Sequence, residues 1–160
     1  MKLIKYFLPA TFILIFLSAC TVQTAQRQVS RPIQAESFDQ AWQASVDALI
    51  ALGYPIQSVS KEAQVMSTEV VKYLGENSRG GYTQETWVEN GQTNTGGVIK
   101  YEWRLVVRVQ KNANGGATVR ALVQNYRILL ADGWNPANWR NVSSGGSIEK
   151  KFYDQVRSLL

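Results

Sequence analysis

Between positions 99 and 110 the chain alternates without a break. Ile99, Tyr101, Trp103, Leu105, Val107 and Val109 fall on one parity, and Lys100, Glu102, Arg104, Val106, Arg108 and Gln110 on the other. Successive side chains leave a β-strand on opposite sides, so this segment predicts a strand with one apolar face and one face in water. A turn follows at 112–116, rich in Asn and Gly, and 117–128 returns with Val119, Ala121 and Val123 on one side and Arg120 and Gln124 on the other. The two halves make a long antiparallel hairpin, which needs further elements to cover its apolar side.

Two amphipathic helices supply that cover. Ser37-Phe38-Asp39-Gln40 fits a capping box. Phe38, Trp42, Val46, Leu49 and Ile50 then form an apolar stripe at spacings of three and four, on which Trp42 reads as core and not as a ligand platform. Gly53 is placed to end this helix and Pro55 to prevent its continuation. A second helix is expected from a cap at Ser147, with Ile148, Phe152, Val156 and Leu159 or Leu160 on its apolar side. Between the helices, 54–59, 65–74 and 82–88 read as strands, while 75–81, 90–97 and 129–146 read as loops or irregular chain. The expected fold class is α+β: an antiparallel sheet of about five strands, with the N-terminal and C-terminal helices packed on one face and the other face wet.

The chain begins with the basic segment Met1-Lys2-Leu3-Ile4-Lys5, continues through an apolar run interrupted by Pro9, Thr11 and Ser18, and reaches Leu17-Ser18-Ala19-Cys20. The run is shorter than the roughly 20 apolar residues a membrane-crossing helix needs, so it reads as a processed signal. Its end resembles the lipobox of bacterial lipoproteins. That resemblance implies cleavage before Cys20, a diacylglycerol thioether on its sulfur and acylation of its new amino group. The division expected is a signal peptide over 1–19, a lipidated and flexible tether over 20–36, and a single domain over 37–160. Thr21 occupies the position where Asp retains a lipoprotein in the inner membrane, so the resemblance further implies the periplasmic face of the outer membrane.

Cys20 is the sole cysteine, and the chain has no histidine. With Cys20 lipidated, the folded part has no intrachain disulfide, no Cys or His metal site and no Ser-His-Asp or Cys-His nucleophile. No metal or cofactor is expected. Cleavage leaves 15 basic and 12 acidic residues, a formal charge of +3, too mild for a nucleic-acid binder. No spacing among the acids singles out a catalytic pair, and the glycine pairs lack both the spacing and the lysine of a phosphate loop.

Two groups of residues could bind a partner. Trp134 and Trp139, with Asn135, Asn138, Arg140 and Asn141, combine flat apolar surface with hydrogen-bonding groups. The wet strand face gathers Lys100, Arg104, Arg108 and Arg120 around Glu102, a set suited to anionic headgroups or an acidic protein surface. The order of elements behind a lipobox, with Ser37-Phe38-Asp39-Gln40-Ala41-Trp42, Leu49, Gly53-Tyr54-Pro55-Ile56 and the strand from Val65, resembles the helix-grip domains of the BamC family, lipoproteins of the outer-membrane β-barrel assembly machinery. The resemblance covers one domain, 38–160, where that family carries two. It implies a helix-grip architecture and a membrane-anchored, non-catalytic accessory or scaffold with an envelope protein as partner. The alternative reading is a module that holds lipid or a glycan such as peptidoglycan in a cleft between helix and sheet.

Overall fold

The alternating segment and its return form the spine of the molecule. The structure is a computed structural model and describes residues 31–74, 83–130 and 138–160. In chain order its elements are β1 (Ile33–Ala35), α1 (Phe38–Ala51), β2 (Ile56–Ser60), β3 (Val65–Thr68), β4 (Val71–Leu74), β5 (Thr83–Glu89), β6 (Gln92–Lys111), β7 (Ala117–Leu130), β8 (Trp139–Asn141), β9 (Ser143–Ser144) and α2 (Ser147–Leu159). The nine strands among the described residues join one antiparallel sheet, whose main path runs β1-β7-β6-β3-β2. Farther along, β4 and β5 pair with β6, β8 with β7, and β9 with β5.

Nine strands correct the expected sheet of about five, and each extra strand has a local cause. Asn90 and Gly91 both take positive φ, 51° and 79°, the geometry of a two-residue hairpin turn whose twist suits the strands it joins. Glu89 therefore pairs with Gln92, and 92–97 continues β6 although its Gly, Asn and Thr content reads as loop. The strand expected over 65–74 is divided at Glu69 and Val70 into β3 and β4, both held by β6. Two short strands, β8 and β9, arise within the stretch read as irregular. Ile33–Ala35, assigned to the tether, pair with β7, and Ile33 is buried.

Two irregularities reset which side chains face the core. Val98 and Lys100 pair with the neighbours Leu130 and Leu129, so Ile99 is an extra residue in β6. Between Glu102 and Arg104 the partner strand runs from Arg127 to Gln124, and Asn125 sits there at φ 52° as the extra residue of β7. A bulge of this kind reverses the parity beyond it. Val98 thus joins Trp103, Leu105, Val107 and Val109 in the core, and Tyr126 and Ile128 continue the core side of Val119 and Ala121.

The helices close that side. Ser37 caps α1 through its hydroxyl, which accepts from the Gln40 amide. At its other end, Gly53 at φ 68° lets the Gly53 amide reach the Ile50 carbonyl and the Tyr54 amide the Leu49 carbonyl, a Schellman ending. Helix α2 begins one residue earlier than expected, with Gly146 at the cap position and Ser147 already helical. Trp42, Ala44, Ala48 and Leu49 of α1 and Ile148, Phe152, Tyr153 and Val156 of α2 pack into one core with the inner residues of β6 and β7. Helix-to-helix as well as helix-to-sheet contact results.

Candidate functional site

The outer face of the sheet follows from the same register. Across β6 and β7, Arg108 lies directly opposite Arg120, Val106 opposite Leu122, Arg104 opposite Gln124, and Glu102 opposite Arg127. Strand β4 extends this surface by setting Lys72 beside Glu102, and Lys100 lies opposite Leu129. Arg108 and Arg120 are exposed, Leu122 keeps 49% of its surface, and Arg104 is half-buried. The Arg104 Nε is shielded from solvent and has no hydrogen-bond partner among the described residues.

Among the described residues one acid stands on this face, and it is already neutralised. Glu102 is buried and its Oε1 accepts from the Nε of Arg127. The Arg127 guanidinium in turn lies 4.9 Å from the centroid of the Trp139 ring, within cation–π range. Trp139 itself is 43% exposed. The remaining basic side chains, Lys72, Lys100, Arg104, Arg108 and Arg120, form no ion pair among the described residues.

Members of the two groups read from the sequence thus share one surface. Trp139, Arg104, Arg108 and Arg120 stand on the same face of the sheet, with Trp139 joined to it through Arg127. Arg140, next to Trp139, turns instead to Glu89 at 3.6 Å. Trp134 and Asn135 lie outside the described residues, as does Cys20. Sequence parity missed Arg127, because unbroken alternation from Val119 places it inside. The bulge at Asn125 moves it out, and the available signal was Asn itself, a residue that tolerates left-handed backbone. Lys72 was missed because 65–74 reads as one uninterrupted strand.

Arginines directly opposite each other repel, and among the described residues no carboxylate pairs with Arg108 or Arg120. Guanidinium forks match carboxylate and phosphate oxygens, so the chemistry of the face is anion binding.

The acids on the core side, half-buried Glu85 and buried Glu149, have structural duties. Burial pushes the Glu85 carboxyl up, opposed by the Lys151 ammonium and a hydrogen bond with Tyr101. Tyr101 stacks on Tyr73 at 5.2 Å and meets Tyr126 edge-on at 6.2 Å. Burial also drives the Tyr101 and Tyr126 phenols upward, reinforced by the Glu85 charge. Glu149 accepts from the Ser144 hydroxyl at 2.6 Å and the Val123 amide at 3.3 Å. No group of three or more potential metal ligands occurs among the described residues, and no helix there is long and apolar enough to cross a membrane. No known protein family and no curated protein matches this chain, so its functional assignment rests on the basic sheet face and the N-terminal sequence alone.

Proposed function

We propose that this chain is a lipoprotein of the bacterial envelope, held at the periplasmic face of the outer membrane through acyl chains on Cys20, and that it acts as a non-catalytic accessory or scaffold. Its domain engages an anionic partner through the open sheet face. The observation that carries this reading is the set of five basic side chains, Lys72, Lys100, Arg104, Arg108 and Arg120, left without acidic partners among the described residues beside the exposed Leu122 and Trp139. The lipobox-like Leu17-Ser18-Ala19-Cys20 supports the anchoring, since two or more acyl chains hold a protein stably on a bilayer.

Mass spectrometry of the N-terminal peptide, together with separation of inner and outer membranes, tests the anchor. The expected result is a diacylated and N-acylated Cys20 in the outer-membrane fraction, absent in a Cys20→Ser variant. An unmodified Cys20 on an uncleaved chain would overturn it. Crosslinking in the native membrane tests the accessory role. An envelope partner lost on substitution of Arg104 and Arg108 supports it, and a hydrolytic activity abolished by neutralising a single carboxylate would refute it.

A further inference from the structure

We infer that the basic sheet face seats the phosphate headgroups of an anionic phospholipid surface, with Arg108 and Arg120 as the central pair. This inference rests on the anchored-lipoprotein reading and names the partner of the same face.

Four features of the molecule point to a lipid surface. First, the charges are spread, not pocketed. Lys72, Lys100, Arg104, Arg108 and Arg120 come from three adjacent strands, and the eight residue steps of β6 from Lys100 to Arg108 span about 26 Å at the rise of an antiparallel strand. Second, the opposed Arg108 and Arg120 repel until an anion sits between them, and phosphate oxygens accept from both forks. Third, the apolar groups on the face are of the interfacial kind: Leu122 at 49% exposure beside Val106, and at the other end the Trp139 indole at 43%, lying over Arg127. Fourth, the chain enters the domain along β7, the strand that carries Arg120. Ile33 pairs with Val119, the neighbour of Arg120. Cys20 precedes Ile33 by 13 residues, a contour of at most about 45 Å. A lipidated Cys20 therefore keeps the face within reach of headgroups, and an acidic protein site would more often draw its anchors into a central, fully desolvated pocket.

The test reconstitutes the mature, lipidated protein into vesicles of phosphatidylcholine alone, or of phosphatidylcholine with phosphatidylglycerol, each with acyl chains brominated near the headgroup. Bromine quenches indoles that reach the interface. Trp42, Trp87 and Trp103 are buried, and subtracting the signal of a Trp139→Phe variant isolates Trp139. The expected result is Trp139 quenching that needs phosphatidylglycerol, falls as salt is raised, and drops at least about fivefold for each arginine reversed in Arg108→Glu and Arg120→Glu. Arg108→Lys should retain part of it, because the charge stays while the bidentate fork to phosphate is lost. Urea midpoints of the variants establish that they fold. Equal quenching in both vesicle types, or quenching indifferent to the arginines, overturns the inference. So does a face whose reversal spares vesicle docking while abolishing a crosslink to an acidic envelope protein. The mass of the Cys20 peptide decides the anchor separately. Were Cys20 unmodified, flotation of the full chain with the same two vesicle types would still decide the docking.

Discussion

Thr68 carries a hydroxyl into the fully buried part of the core and is held there by two hydrogen bonds. Its Oγ1 donates to the Glu69 carbonyl at 2.8 Å and accepts from the Leu105 amide at 3.0 Å. The second bond replaces a ladder bond where β3 ends and the chain steps across to β4. Thr68→Val preserves shape but leaves the Leu105 N–H unpaired out of water, a loss of about 1–3 kcal/mol. A lower urea midpoint at unchanged slope is the expected reading, and an unchanged midpoint would mean the amide finds another partner. Gly116 fixes a different contact. A Cβ there would lie 2.6 Å from the Ala35 carbonyl oxygen, so Gly116→Ala must push β1 off β7. The expected cost is roughly 1–3 kcal/mol, with faster hydrogen exchange at the β1 amides in particular. Neither role is visible in sequence. Thr68 sits within an apparently ordinary strand, and Gly116 reads as one half of a turn glycine pair.

At the scale of elements, α2 does more than cover the sheet. Along its outer edge β7 is paired by β1 only as far as Val119 and by β8 only from Arg127. In the gap, the Ala121 amide donates to the Tyr153 hydroxyl at 2.7 Å and the Val123 amide to Glu149 at 3.3 Å. Helix side chains thus satisfy a strand edge, in keeping with the general rule that buried backbone donors are paired. Tyr153→Phe should cost about 1–3 kcal/mol by stranding the Ala121 amide. The same phenols set an alkaline limit. Burial raises Tyr126 and Tyr153 above the ordinary value of 10.0, with the Glu149 charge raising both and the Ala121 amide and nearby arginines partly opposing the rise at Tyr153. Above pH 10 the unfolded chain releases protons that the folded protein keeps, so stability falls as pH rises. The slope reaches up to about 1.4 kcal/mol per pH unit for each phenol engaged. Tyr153→Phe should therefore show a shallower decline above pH 10 than the parent, and equal slopes would mean that Tyr153 ionises normally. The helices were legible from their stripes and caps, yet the stripe of α1 was drawn too wide. Ile50 is 64% exposed, and Ala41, Ala44, Ser45 and Ala48 are buried instead. Small residues on that side bring α1 close to its neighbours, which an apolar-size criterion overlooks.

For the whole molecule, the division into a core side and an open side was legible because strand parity needs no tertiary information. The extent of the open side was not. It depends on bulges at Ile99 and Asn125 and on pairing between segments far apart in sequence, which bring Lys72, Arg127 and Trp139 to it. The resulting surface holds charges that the fold does not need for its own stability. Arg108 and Arg120 oppose each other across β6 and β7, where like charges are unfavourable and opposite charges contribute roughly 0.2–1 kcal/mol. A surface shaped only by folding would place a carboxylate at one of the two positions. Arg120→Glu supplies it, and the expected outcome is a protein slightly more stable than the parent, by up to about 1 kcal/mol at low salt. That gain should shrink as salt is added, and the variant should at the same time lose its hold on anionic vesicles. A more stable protein with weaker docking would identify the pair as a binding feature retained at the expense of the fold. A less stable one would mean that the two guanidinium groups already avoid each other in the free protein, and the anion-binding role would then have to rest on Arg104 and the lysines.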